Sequence, residues 1–338
     1  MKIRVLPHQP HCFAFGGFEI QMLDALKAAK EAGADVQPLD VWSRDSDFDI
    51  LHVWGFEASH LPAIYWAHRS GKRVVMTALL GYFDSFSLAN RLRKFGSRVL
   101  GRSRALREIS SYLDLLVVLN EAQADVATNY YDIPRSKITI IPNIINEDYF
   151  NLNGDILSRT VEHKVNNYIL CTGNICKRKN QLALTEAALS ARTSLLLVGP
   201  VLAGEEEYGN ALTKLIAGQE SVRWIAGLPQ GSHELLAAYR GCIGFALPSY
   251  IETQPISALE AAAAGKPLLL ADLPWARQSF YQGAYLSDPD SPSAIKHGIE
   301  CLRQSPTSFI PPKVILERCR STEVGAAYAQ AYARAAQA

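Results

Sequence analysis

Two glutamates eight positions apart, Glu252 and Glu260, lie on either side of a predicted turn from a strand to a helix. The apolar run at residues 244–248 predicts a short buried strand that ends at a proline. Pro255 suits the first position of a helix, where its missing N–H group costs nothing. The helix is expected to cover residues 256–264 and to end at the glycine that follows. Glu252 therefore lies in the loop, and Glu260 lies on the helix.

The start of this helix is a predicted anion site. Its free backbone N–H groups, near Ile256 and Ser257, point into the space between the two glutamates and carry about half a positive charge. Carboxylates on either side of a phosphate site suit a ligand that has both hydroxyl and phosphate groups. A sugar nucleotide is such a ligand.

A basic loop follows a second apolar run, at residues 168–170. Gly173, at the end of this predicted strand, lets the backbone approach a ligand closely. Three consecutive cations, Lys177, Arg178 and Lys179, precede a helical pattern. Cations are favoured at the C-terminal end of a helix, so three of them at an N-terminal end indicate a bound anion that offsets their charge.

These two segments together resemble the Glu-x7-Glu signature and the phosphate-binding loop of retaining glycosyltransferases with the GT-B fold, closest to glycosyltransferase family 4. The resemblance implies an α/β architecture of two facing Rossmann-like domains with parallel sheets. Residues 1–150 would form an N-terminal acceptor-binding domain, and residues 151–320 a C-terminal domain that binds the nucleotide sugar. Residues 321–338 would form a helix that packs back on the N-terminal domain.

The resemblance also implies roles for individual residues. Lys179 takes the place of the family's diphosphate-binding lysine. Where the family has an arginine this chain has Asn174, and Arg178 is expected to supply the missing charge. Glu260 would bind the ribose hydroxyls, and Glu252 the hydroxyls of the donor sugar. The expected catalytic residues are Glu252, Lys179 and Arg178, and the expected donor-binding residues are Gly16, Gly17, Gly173, Asn174, Arg178, Lys179, Ile256, Ser257 and Glu260.

The implied activity is the transfer of a sugar, with retention, from a UDP- or GDP-sugar to a glycan or lipid-linked acceptor in cell-surface polysaccharide or glycolipid synthesis. No metal or other cofactor is expected. The Asp-x-Asp patterns at residues 45–49 precede a predicted strand, and we interpret them as structural. Two alternatives stay open: a sugar-nucleotide 2-epimerase of the same architecture, and a non-catalytic partner protein with a degenerate site.

One histidine stands out in the N-terminal half. His52 is predicted to lie at the end of a strand, near Gly55, and is the best histidine candidate for an active cleft. The family often has a histidine after the strand predicted here at residues 73–77, but this chain has none there. Thr77 or Tyr82 is expected to line the site instead.

Composition agrees with a two-domain enzyme. The chain has 338 residues, 48% of them hydrophobic, which is enough for two cores. Six cysteines form no Cys-x-x-Cys pair, which indicates reduced thiols and a cytoplasmic protein. The apolar runs are too short for membrane spans, and the N-terminus lacks the apolar region of a signal peptide.

The net charge of +1 hides an uneven distribution. Seven basic side chains and no acidic one occur from Arg91 to Arg107, and apolar residues recur there at near-helical spacing. One hypothesis is that residues 91–109 dock on anionic lipid at the inner membrane face, or on an acidic glycan. The other is that the apolar stripe packs on its own domain. Nucleic acid is not an expected partner, since aromatic side chains do not alternate with the charges.

Overall fold

The computed structural model describes residues 1–13, 16–81, 101–152 and 167–338, with the backbone alone at residues 101–103. The described chain divides into two compact units. Unit 1 comprises Met1–Ile144 and Arg318–Ala338, and unit 2 comprises Ile145–Glu317. Tyr82 and residues 91–100 of the basic segment lie outside the described residues.

Unit 1 is built on a parallel sheet whose described strands follow the order β2-β1-β3-β4-β5-β6. The inner strands are apolar on both faces because helices cover the sheet on both sides. The strands are β1 (Lys2–Leu6), β2 (Asp35–Pro38), β3 (Ile50–Trp54), β4 (Arg73–Thr77), β5 (Leu115–Val118) and β6 (Ile138–Ile140). The helices between them are α1 (Gly17–Glu31), α2 (Leu61–Arg69), α3 (Gly101–Tyr112) and α4 (Glu121–Tyr131).

Unit 2 repeats this architecture, with the described strands in the order β12-β11-β10-β7-β8-β9, all parallel. The strands are β7 (Tyr168–Thr172), β8 (Ser194–Val198), β9 (Val222–Ile225), β10 (Gly244–Leu247), β11 (Leu268–Ala271) and β12 (Tyr285–Ser287). The helices are α5 (Gln181–Ser190), α6 (Glu206–Ile216), α7 (His233–Gly241), α8 (Ile256–Ala263), α9 (Pro292–Gln304) and α10 (Lys313–Leu316).

Strand order reverses at one point in the sheet of unit 2. The chain moves outward from β7 through β8 and β9, then returns to place β10 on the other side of β7. In open parallel sheets, ligands bind outside the carboxyl ends of the strands at such a reversal. The loops after β7 and β10 therefore define where a ligand is expected.

The last helix, α11 (Ser321–Gln337), belongs to unit 1 and packs along α1. At their closest approach Gly325 faces Ala28, and a Cβ at Gly325 would lie 2.4 Å from the Ala28 carbonyl oxygen. Glycine is what allows the two backbones to come this close. Tyr328 and Tyr332, one helical turn apart, are both buried in the core of unit 1.

Candidate active site

The two predicted ligand-binding loops leave neighbouring strands of unit 2. β7 and β10 pair directly, with Ile169 opposite Gly244 and Leu170 opposite Phe245. Because both strands are parallel, the loop after each begins at the same edge of the sheet. The fold thus brings the basic loop and the Glu252 loop together across 73 positions of sequence.

Gly173 ends β7 in a conformation that only glycine adopts readily, with φ +129°. A Cβ at this position would lie 2.9 Å from Cε of Lys179, since the lysine side chain crosses directly over it. On the other side, Gly199 allows β8 to approach, because a Cβ there would lie 2.2 Å from the Gly173 carbonyl oxygen. The glycine pair therefore holds the basic loop close to the sheet.

The three cations form a single 3-10 turn, Lys177–Lys179, which ends at Asn180 in the left-handed region at φ 58°. Asn180 anchors the turn by donating from Nδ2 to the Pro289 carbonyl at 2.8 Å. The backbone carbonyl of Arg178 accepts from the Tyr250 N–H at 2.9 Å, which ties the turn to the loop after β10. The turn is thus fixed on both sides.

Glu252 accepts hydrogen bonds from both of the cations predicted to be in the site. Nζ of Lys179 donates to its Oε1 at 2.9 Å, and the Arg178 guanidinium donates to the same oxygen at 2.8 Å. The side chains of Glu252 and Lys179 are each 10% exposed, whereas that of Arg178 is 40% exposed. Burial raises the pKa of Glu252, but the charges of Lys179 and Arg178 outweigh burial and hold that pKa below its ordinary value. Glu252 is therefore ionised at neutral pH.

Helix α8 begins without a side-chain cap. Pro255 is the N-cap residue, with ψ 118°, and the helix starts at Ile256. The predicted start of the helix at residue 256 is confirmed, and Pro255, with an extended ψ, is the residue just before its first turn. Ile256 and Ser257 are partly exposed. An uncapped helix start has free N–H donors available to an anion.

Glu260 has the opposite environment to Glu252. It is buried on α8, and Oε2 accepts a hydrogen bond of 2.9 Å from the hydroxyl of Tyr239 on α7. Burial raises the pKa of Glu260 to about 7, although the hydroxyls of Tyr239 and Tyr149 oppose that shift. The carboxyl is therefore close to half-protonated at neutral pH. The sequence did not predict this partner, although the hydroxyl of a buried tyrosine such as Tyr239 usually has a hydrogen-bond partner.

Three other residues, Asn174, Gly16 and Gly17, were also predicted to bind the sugar donor. Asn174 is exposed, and its carbonyl accepts from Nε2 of Gln181 at 2.9 Å. Gly16 and Gly17 belong to unit 1, where Gly16 is the N-cap of α1 and Gly17 its first residue. The N–H of Gly16 donates to Oε2 of Glu19 at 2.8 Å. Within unit 2, the structure groups Gly173, Lys179, Arg178, Glu252, Ile256, Ser257 and Glu260 around one edge of the sheet.

The expectation that His52 lies in an active cleft was wrong. His52 is in the middle of β3 and completely buried, with Nδ1 2.9 Å from the Tyr332 hydroxyl and Nε2 2.9 Å from Oγ1 of Thr77. Burial lowers the pKa of His52 to about 3, so the ring is neutral. Thr77 is equally buried and also contacts Tyr328, so it does not line a site either. These residues join α11 to the sheet of unit 1.

The aspartate pairs near β3 are engaged at the start of β1. Asp47 pairs with the Lys2 side chain, and Asp49 accepts from the Lys2 N–H at 2.7 Å. Among the described residues, no group of three or more His, Cys, Asp or Glu side chains could hold a metal ion. In the same part of the chain, no helix has the length and apolar character that a membrane span needs.

Solved structures share this two-unit architecture over the full length of the chain. The HepE protein of Anabaena, solved with UDP and glucose, superimposes with a TM-score of 0.70 and covers 98% of this chain and 99% of its own, at 16% identity. Two Rossmann-like α/β units with parallel sheets are the units of the GT-B fold, which these solved structures share. At this identity the likeness concerns the fold.

Family models match both halves. Residues 15–149 match the model of glycosyltransferase family 4, and residues 156–309 match that of glycosyl transferases group 1. In both halves the chain therefore resembles the GT-B glycosyltransferases of family 4.

Two curated relatives match about half of the chain. The D-inositol 3-phosphate glycosyltransferase of Stackebrandtia nassauensis is 26% identical over 189 residues, 52% of this chain and 41% of that protein. The O-antigen chain mannosyltransferase RfbU of Salmonella typhimurium is 24% identical over 186 residues, 55% of this chain and 50% of that protein. The chain thus spans half or less of the length of these curated relatives.

Proposed function

We propose that this protein is a retaining, metal-independent glycosyltransferase that moves a sugar from a UDP- or GDP-sugar to a glycan or lipid-linked acceptor. The observation that carries the proposal is the pairing of Lys179 and Arg178 on one oxygen of Glu252, beside the uncapped start of α8. This arrangement places two cations and a set of helix N–H donors at the strand-order reversal of a parallel sheet.

The two cations and the helix start would act on the donor's diphosphate. Negative charge grows on the leaving phosphate as the bond to the sugar breaks, and donors fixed in advance stabilise that charge without reorganisation. Lys179 is already held in place over Gly173, so its ammonium group is preorganised. Arg178 is the more exposed cation and can turn from Glu252 towards a phosphate.

Glu252 would bind hydroxyls of the donor sugar, and Glu260 those of the ribose. Glu252 pairs with Lys179 and Arg178 through one carboxylate oxygen. A diphosphate that takes over these cations would free the carboxylate oxygens for the sugar. Similar proteins also support the proposal. HepE was solved with UDP and with UDP-glucose, and the curated relatives are named as glycosyltransferases.

The test is turnover of UDP- and GDP-sugars in EDTA, with and without glycan and lipid-linked acceptors, by wild-type protein and Glu252→Ala. Wild type is expected to transfer the sugar with its anomeric configuration retained. Glu252→Ala is expected to lose transfer by a factor of about a hundred or more while it still binds nucleotide, because the cations remain. Glu220→Ala, at an exposed glutamate of the same unit, is the matched control and should behave as wild type.

Other outcomes separate the alternatives. A donor converted to its epimer without any acceptor would indicate the 2-epimerase. Activity that disappears in EDTA and returns with manganese would contradict metal independence. A fully active Glu252→Ala variant would remove the role assigned to that residue.

A further inference from the structure

One tyrosine hydroxyl in unit 2 contacts three groups on two elements of the candidate site, α8 and β7. Tyr239, on α7, is completely buried. Its hydroxyl lies 2.9 Å from Oε2 of Glu260, 3.2 Å from the carbonyl oxygen of Ser257 and 2.8 Å from Oγ1 of Thr172. These partners are the glutamate proposed to bind the ribose, the first turn of α8 and the last residue of β7 before the basic loop.

We propose that Tyr239 is a positioning residue of the donor site, which holds Glu260 in place for the nucleotide ribose and ties it to the phosphate-binding start of α8. The proposal rests on the function proposed above, since it assigns the ribose to Glu260. Tyr239 itself reaches the ligand only through these partners, because its side chain is buried.

The surroundings fix the tyrosine ring as well as its hydroxyl. The ring stacks on Phe245 of β10 with centroids 6.0 Å apart, and meets the ring of Tyr149 edge-on at 5.0 Å. A ring clamped on two sides cannot swing its hydroxyl away from Glu260 without disturbing the core. The position of the hydroxyl is therefore set by the fold before any ligand binds.

The hydrogen bonds of the Tyr239 hydroxyl are compatible with either protonation state of Glu260. The Tyr239 hydroxyl has one proton to donate, and Glu260, the Ser257 carbonyl and Oγ1 of Thr172 can each accept it. When Glu260 is ionised, Tyr239 can donate to it and accept from Thr172. When Glu260 is protonated, Tyr239 can donate to Ser257 instead. Neither state leaves the buried hydroxyl without a partner.

Tyr239 favours the ionised form of Glu260, which is the better acceptor for ribose hydroxyls. Burial is the main cause that raises the pKa of Glu260, while the hydrogen bond from Tyr239 and the nearby Tyr149 hydroxyl lower it. The titratable groups that face the carboxyl are these two tyrosines, and Asp148 acts on Tyr149 in turn. Loss of the Tyr239 hydroxyl should therefore raise the pKa of Glu260 further.

The experiment is the dissociation constant of UDP, GDP and ADP, measured by calorimetry from pH 5.5 to 9 for wild type and Tyr239→Phe. Wild-type affinity is expected to rise with pH as Glu260 ionises, around pH 7. Tyr239→Phe should bind the preferred nucleotide about tenfold more weakly at pH 7, the effect of one lost hydrogen bond to a charged group. Its affinity should rise only at higher pH than that of wild type, since the ionised carboxyl has lost a donor.

Tyr168→Phe is the matched control. Tyr168 is also a buried tyrosine of unit 2, and its hydroxyl donates to the Ala238 carbonyl at 2.8 Å, one residue from Tyr239. Its loss should lower stability without moving the pH midpoint of nucleotide affinity. Thr172→Val removes the partner of Tyr239 and should move the midpoint in the same direction as Tyr239→Phe, by less.

Three results would overturn the assignment. Unchanged affinity and an unchanged pH midpoint in Tyr239→Phe, with wild type binding normally, would contradict the positioning role alone. Equal shifts in Tyr239→Phe and Tyr168→Phe would reduce the effect to general stability. Wild-type protein that binds none of the three nucleotides at any pH would contradict the proposed function, and this role with it.

Discussion

At the scale of single residues, Glu252 and Glu260 show how environment gives one residue type two states. Both are largely buried, and burial raises the pKa of each carboxyl. Glu252 faces Lys179 and Arg178, and these charges bring its pKa below the ordinary value. Glu260 faces tyrosine hydroxyls, and its pKa stays raised, at about 7. Pairs of carboxyls with pKa values pushed apart are a recurrent feature of active sites.

The raised pKa of Glu260 predicts a pH-dependent stability. Between its ordinary pKa near 4.5 and about 7, the folded protein keeps a proton that the unfolded chain releases. The free energy of unfolding should therefore fall as pH rises through that window, by up to roughly 3 kcal/mol from this group. Glu260→Gln removes the titrating group, so its stability relative to wild type should increase from pH 5 to pH 7.5 in urea unfolding experiments.

The control for this prediction is Glu220→Gln, which should follow the wild-type pH profile because Glu220 is exposed. A stability difference between wild type and Glu260→Gln that stays constant over the window would contradict the raised pKa.

Sequence predicted the positions of these residues better than their partners. The spacing of Glu252 and Glu260 placed one in a loop and one on a helix, as the structure has them. Their ionisation depends on contacts from Lys179 and Tyr239, which lie 73 and 21 positions away from their partners. Such contacts follow from strand order and helix packing, which no local pattern contains.

At the scale of elements, the turn from β7 to α5 positions the site cations. Gly173 gives the backbone a positive φ and leaves room for the Lys179 side chain. Glycine and proline in the sequence predicted this turn and the turn before α8, because these residues are typical of the ends of strands and the starts of helices. The start of α8 at Ile256, directly after Pro255, agrees with the sequence prediction, because proline has a fixed φ and no N–H and so suits a helix boundary.

Gly173→Ala tests whether this turn sets the cation geometry. The new Cβ would lie 2.9 Å from Cε and 3.1 Å from Nζ of Lys179, so the end of the lysine side chain must shift from its place over the turn. We expect a loss of about 1–3 kcal/mol in stability from the positive φ, and a drop of about tenfold or more in affinity for the preferred nucleotide from the displaced cation. Denaturant unfolding and calorimetry measure the two effects separately.

Gly218→Ala is the matched control, because Gly218 also has a positive φ, 74°, but a Cβ there meets no atom within 4 Å. It should share the stability loss and keep the nucleotide affinity. Equal affinities of the two variants would show that Lys179 does not depend on Gly173.

At the scale of the whole molecule, the alternation of apolar runs and helical patterns was enough to predict parallel α/β sheets. The fold class follows from this alternation because parallel strands need a crossover helix between them. The buried position of His52 could not be predicted in this way, because the local sequence does not show whether a histidine lies inside a strand or at its end. Its partner Tyr332 lies 280 positions away on α11. The contact with the C-terminal helix therefore explains why His52 is buried and does not lie in a cleft.

The central claim is that unit 2 binds the diphosphate of a nucleotide sugar through Lys179. The most direct measurement is calorimetric titration of wild type, Lys179→Met and Lys177→Met with UDP, GDP and ADP in EDTA. Lys177 is an exposed cation of the same turn, two positions from Lys179, so its variant controls for net charge. We expect wild type to bind one nucleotide in preference to the others. Lys177→Met should retain this affinity within a few-fold, and Lys179→Met should lose about tenfold or more. Wild type that binds none of them, or a Lys179→Met variant that binds as tightly as wild type, would contradict the central claim.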